Sequence, residues 1–271
     1  MKSETSSALG PVHHSRPIRL SSIAMPAEHG AWGFTLEPLL LALLVAFSPS
    51  GLYLAVGALT AFLAHQPLRV WLKNGPGLKQ KTAMVFFLIY ALPAALFLFW
   101  FILRERFIST LPLYITLALM IAYVFAEKAG QGRRLYVEIM AALSMAIISM
   151  SITLSADWTA EQATGLMLFS ASRTVPSVFY VRARLRLDKN NASYVRISNI
   201  VNIMAFGLVF LLIYQQGLSW FVLLPFLVLL GRALYGVSSY RPRQTVKQIG
   251  IVEFLVGLQM VILVAVGYWM S

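Results

Sequence analysis

The sequence predicts an all-α membrane protein, a polytopic bundle of about nine transmembrane helices. Three observations predict it. Of the 271 residues, 59% are hydrophobic and only 12% are charged, roughly half the charged share of a soluble domain. The mean hydropathy is +0.74. The apolar runs reach about 20 residues, the length at which a helix crosses a bilayer.

Residues 1–25, MKSETSSALGPVHHSRPIRLSSIAM, are polar, Ser-rich and broken by Pro. They lack the apolar centre of a signal peptide and read as a flexible cytoplasmic tail. Residues 26–271 read as a single transmembrane helical domain. The first helix is expected over 30–47, after PAEHG and before Pro49 and Gly51. The second covers 51–71 and gives way to a turn at Pro76. The third, 82–103, follows Lys79 and Lys81 and stops at Arg104. The fourth, 107–126, closes before Lys128 and Gly130, and the fifth, 135–155, opens after Arg133 and Arg134. The sixth, 160–181, lies between the loop ADWTAE and a run of Arg residues. The seventh, 197–216, ends at Gly217, the eighth, 218–238, ends before Pro242, and the ninth covers 248–270. Breakers and charges set these ends. No connection between them is long enough for a soluble domain.

Eighteen of the 22 Lys and Arg residues fall in the tail, at the ends of helices two, four, six and eight or in the loops after them. The opposite loops carry only Arg104 and Arg106. The positive-inside rule then places the N-terminus in the cytoplasm and the C-terminus outside. The net charge of +12 therefore marks orientation in a lipid bilayer and not a nucleic-acid partner. Cysteine is absent, which excludes disulfides, thiolate metal sites and thiol nucleophiles.

The other two basic residues, Arg173 and Arg232, fall inside spans. Counted at 1.5 Å per residue from the expected ends, Arg173 is about 12 Å deep, Arg232 about 9 Å and Glu37 about 10 Å. Glu253 and His65 lie on the same half, and Glu127 and Glu138 sit nearer that interface. An ionised group facing lipid there costs on the order of 3 kcal/mol. Several at one level read as the lining of a shared polar cavity open to the cytoplasm. Arg173 is the first candidate partner of Glu37, and Arg232 the second. The competing reading is structural, since buried Glu–Arg pairs fix packing and long Arg chains snorkel.

Three stretches stand out: PAEHGAWGFTLEP (26–38), FLAHQPLRVWLKNG (62–75) and SRTVPSVFYVRARLRL (172–187). Glu28 and His29 are expected at the cavity rim, with Glu37 deeper on its wall. His65 and Arg69 are four apart and share a helical face, as do Arg182 and Arg186. Arg184 points away from that face and reads as a lipid anchor. Pro176 frees a backbone carbonyl one turn after Arg173, as helices that line cavities often do. Arg recognises phosphate or carboxylate bidentately without a metal. The expected ligand is an amphipathic anionic molecule, isoprenoid- or lipid-like, contacted by Glu28, His29, Tyr180, Arg182 and Arg232. If the chain is an enzyme, Glu37, His65, Arg69 and Arg173 are its catalytic set, with Arg binding the anion and His or Glu moving protons.

Together the three stretches resemble the YwiC-like family of bacterial membrane proteins, from residue 26 across nearly the whole chain. That likeness implies a membrane location and no particular activity. The architecture, with polar signatures after helices two and six, is similar to the UbiA-type intramembrane prenyltransferases and implies a UbiA-like arrangement. Those enzymes hold Mg²⁺ on Asp-rich motifs at both places. Here the stretches read HQPLRVWLKNG and FYVRARLRLDKNN, with Asp188 alone, and Asp157 is expected on the opposite side. Magnesium needs hard oxygen ligands, so the resemblance carries over no magnesium site, and no cofactor is identified. A divergent prenyltransferase-like transferase, a transporter or permease, and a non-catalytic assembly factor are the classes left open.

Overall fold

The computed structural model describes residues 20–26, 29–73 and 75–271, and of His29 the backbone alone. The tail up to residue 19 and Glu28 lie outside the described residues, as does the side chain of His29. Among the described residues the chain is helical without strands. Its elements are α1 (Leu20–Ala24), α2 (His29–Val45), α3 (Pro49–Lys73), α4 (Leu78–Arg104), α5 (Phe107–Lys128), α6 (Leu135–Leu154), α7 (Ala160–Leu187) and α8 (Val195–Gln216). A 3-10 turn, Trp220–Val222, leads into α9 (Leu223–Gly236), and α10 (Val246–Trp269) closes the chain.

Every helix expected from the sequence has a counterpart. The largest difference is at α7, which runs to Leu187 and not to 181. Pro176 lacks the N–H that would bond the carbonyl four residues earlier, yet the helix continues through it. Arg173 is therefore mid-helix, and the depth counted from an end at 181 is corrected accordingly.

Six helices, α3, α4, α5, α6, α8 and α10, are long and apolar enough to cross a membrane. The remaining three long elements fall short for a common reason. Helix α2 has 17 residues and carries Glu37, α9 has 14 and carries Arg232, and α7 has 28 but is studded with Arg and Ser. At 1.5 Å per residue, α2 and α9 are shorter than the roughly 30 Å hydrocarbon thickness. The charges of these three helices, like that of Glu253 on α10, need protein neighbours.

The packing supplies them. Helix α6 is the most enclosed of the six, 61% of its apolar window being buried, and it packs against α2, α5 and α7. Helix α2 lies between α6 and α10. Helix α4 packs mainly on α3 and is only 11% buried, presenting Val85, Leu88, Leu92, Leu96 and Leu103 outward as a lipid-facing helix does.

The apolar core, with Leu41, Leu54, Phe101, Leu113, Ile152, Leu166, Phe169, Phe226 and Met260, occupies the half away from the basic loops. Ser48 Oγ accepts from the Gly51 amide at 2.9 Å and meets Ser155 Oγ at 2.7 Å, tying the α2–α3 turn to the end of α6. Capping boxes start α7 (Thr159, Gln162) and α10 (Thr245, Gln248), satisfying amides that a helix start leaves open. Gly217 ends α8 at φ 64°, a left-handed conformation that suits glycine.

Candidate functional site

Helix α7 presents Arg173, Ser177, Tyr180 and Arg184 as a buried stripe, the spacing of i, i+4, i+7 and i+11 that lines one face. Arg173 is 1% exposed and gathers two carboxylates from other helices. Its Nη2 donates to Glu37 Oε1 on α2 at 3.2 Å, and Nε stands 3.2 Å from Glu37 Oε2 as an ion pair outside hydrogen-bond alignment. On α10, Nη1 donates to Glu253 Oε2 at 3.4 Å and Nη2 to the Glu253 carbonyl at 2.8 Å. Ser177 Oγ also accepts from Nη1 and donates back to the Arg173 carbonyl at 2.9 Å.

Arg232 on α9 completes the set. Its Nη1 donates to Glu253 Oε1, and its guanidinium lies over the Tyr180 ring, 4.2 Å from the centroid. Two Arg and two Glu thus meet from four helices, with formal charges that cancel. Pairing of this kind is what lets charges stay ionised in a low-dielectric interior. The expected partner of Glu37 is the one found, Arg173. Arg232 pairs with Glu253 instead.

Small residues make the room. A side chain at Gly257, one turn after Glu253 on α10, would overlap the Glu37 carboxylate. A Cβ at Gly33 would come 2.8 Å from Glu37 Oε1. Gly33 therefore accommodates the carboxylate of its own helix rather than a neighbouring backbone. A Cβ at Gly236 would strike the Tyr180 hydroxyl.

One edge of the cluster is unmatched. Arg232 Nε and Nη2 are buried and have no hydrogen-bond acceptor among the described residues. Those two nitrogens form the side-on edge by which guanidinium takes a carboxylate or phosphate bidentately.

The other expected site residues fall elsewhere. His65 and Arg69 do not reach this cluster; they form a second one between α3 and α5. There Arg69 Nε lies 2.9 Å from Glu127 Oε1, Lys73 Nζ donates to the same oxygen at 2.5 Å, and the His65 ring meets Tyr123 edge-on at 5.1 Å. The single shared chamber expected from the sequence is thus corrected to two separate clusters. Arg182 pairs with Glu138 at 2.8 Å and donates to the Arg133 carbonyl at 2.8 Å, outside both. Arg182 and Arg186 do share a face, both lying over Tyr194, at 5.8 Å and 4.3 Å.

Arg184 needs the opposite correction. Read from the sequence as a lipid anchor, it is wholly buried and donates to the Gly236 carbonyl at 3.1 Å and to the Pro242 carbonyl. It stitches the loop after α9 to α7, because α7 continues past 181 and carries Arg184 into the interior.

Glu253, read from the sequence only as one of the charges at the common depth, carries no expected ligand or catalytic role, and Ser177 and Gly257 carry none either. A signal existed for the first: Glu253 is a lone carboxylate in IGIVEFLVGLQM, the same anomaly that drew notice to Glu37.

A family model described as YwiC-like protein matches residues 25–153. The match takes in the first two stretches and stops before the third. Neither the curated proteins nor the solved structures give a match.

Proposed function

We propose that the chain, which a YwiC-like family model matches over residues 25–153, binds an amphipathic anionic molecule through Arg232. The supporting observation is the unmatched Nε–Nη2 edge of a buried guanidinium. An anionic head group placed there takes two charge-assisted hydrogen bonds. Tyr180 holds the guanidinium plane from one face, and Glu253 anchors the far nitrogen. Neighbouring apolar helices offer the tail of the ligand the same medium as lipid. In this reading residues 26–271 form one transmembrane domain, the basic loops face the cytoplasm, and the ligand comes from the inner leaflet.

Transfer chemistry is not part of the proposal. Asp157 pairs with Arg106 at 2.7 Å at one end of the bundle, while Asp188 stands at the other, 4.0 Å from Arg184 and 3.7 Å from Arg241.

The test is mass spectrometry of small molecules retained by the purified protein. Wild type is expected to carry an anionic amphipath that Arg232→Lys loses by about tenfold or more, because an ammonium keeps the charge but not the bidentate edge. Equal retention by the two proteins would rule the proposal out. Labelling of single cysteines at Ser50, Gly130 and Ser239 checks the orientation. The latter two are expected to react from the cytoplasmic side and the first from the opposite side, with no native thiol to interfere.

A further inference from the structure

The second cluster contains a polar atom that nothing among the described residues satisfies. His65 Nε2 is buried and has no hydrogen-bond partner among the described residues. It borders a cavity of about 10 Å³ whose wall also includes Arg69, Leu72, Tyr123 and Glu127. That is about the space one water occupies. Glu127 is fixed on two sides, by Lys73 and Arg69, and a side chain at Gly132 would collide with it. The carboxylate therefore keeps its place beside the cavity.

The surroundings join the first two sequence stretches. Trp32 meets Phe62 edge-on at 5.3 Å and donates through its indole N–H to the Pro26 carbonyl at 3.3 Å. Gln66, next to His65, donates to the Ser22 carbonyl at 3.1 Å. These residues, apart from Ser22, lie inside the matched stretch 25–153.

We infer that the cavity between α3 and α5 is a second binding site, in which His65 Nε2 hydrogen-bonds a hydroxyl group, either a water or the alcohol of a bound molecule. The space is too small for an anionic head group. The ligand atom must bond an imidazole nitrogen and can bond a carboxylate, and a hydroxyl does both because it donates and accepts. A purely apolar occupant would leave the imidazole nitrogen unsatisfied, and a cation would meet Arg69 and Lys73. The inference is independent of ligand binding at Arg232.

The experiment is solid-state ¹⁵N NMR on histidine-labelled protein in deuterated lipid bilayers. The chain has four His, and replacing His13, His14 and His29 by Asn leaves His65 as the one histidine signal. Expected is a hydrogen-bonded shift at Nε2, with magnetisation passing to it from hydroxyl protons. Transfer from water identifies solvent as the occupant. Loss of that transfer on adding octanol, replaced by transfer from the octanol hydroxyl, identifies an alcohol site. A shift typical of an unbonded ring nitrogen, with no transfer from water or from octanol, overturns the inference.

Discussion

Arg173→Leu is expected to destabilise the protein by about 3–5 kcal/mol, the usual effect of removing one partner from a buried ion pair. The reason is geometric. Its guanidinium serves Glu37 on α2, and the carboxylate and carbonyl of Glu253 on α10, at once. Without it two carboxylates on neighbouring helices face each other, and only Arg232 remains to offset them. Arg173→Lys is expected to recover little, because one ammonium cannot replace five planar N–H donors in that fork. Unfolding followed by circular dichroism in mild detergent measures the loss. A variant in which Glu37, Arg173, Arg232 and Glu253 all become Leu separates stability from binding. It is expected to regain much of the stability, since apolar replacement of a whole buried ionic set is often neutral. It should not regain anionic ligand. If Arg173→Leu unfolds at the wild-type midpoint, the cluster contributes nothing to the fold.

Gly257→Ala is expected to be nearly as damaging, although a single methyl group is added to a helix. A Cβ there overlaps the Glu37 carboxylate, and forcing atoms into a packed interior costs about 1–3 kcal/mol. More is lost when the displaced carboxylate leaves Arg173. Helix propensity alone would favour Ala over Gly by about 1 kcal/mol, so the sign of the effect distinguishes the two causes. In a Glu37→Ala background the same change is expected to be close to neutral, because the space is then free. The coupling between the two positions should be on the order of 1–3 kcal/mol. Additive effects would show that Gly257 serves another purpose.

Much of the fold was legible because bilayer length and charge distribution are one-dimensional signals. Runs of apolar residues located every long helix, and Lys and Arg marked its ends. Glu37, Arg173 and Arg232 were legible as anomalies, each a charge where lipid would not tolerate one, and Arg173 was correctly paired with Glu37. Periodicity also showed that Arg182 and Arg186 share a face. It failed at Arg184, because the end of α7 was taken from the run of basic residues and the helix in fact carries that run inward.

Other parts of the site needed three dimensions. Nothing local says that Glu253 answers both Arg173 and Arg232, or that Gly257 is small for the sake of a side chain on α2. His65 and Glu37 looked alike from their depth. They separate because α3 packs mainly on α4 and meets α5 through side chains, while α2 packs mainly on α6 and α10.

The amino-acid order by itself determined that this chain lives in a membrane, where its helices run and which charges demand company, because hydrophobic transfer and helix geometry act residue by residue. Tertiary structure alone decided who keeps that company. Pairing between α2, α7, α9 and α10 depends on which faces pack together, and that depends on small residues and shape at contacts distant along the chain. Among the described residues the same packing leaves one edge of Arg232 and one nitrogen of His65 without a partner, and it is there that the proposed ligands would bind.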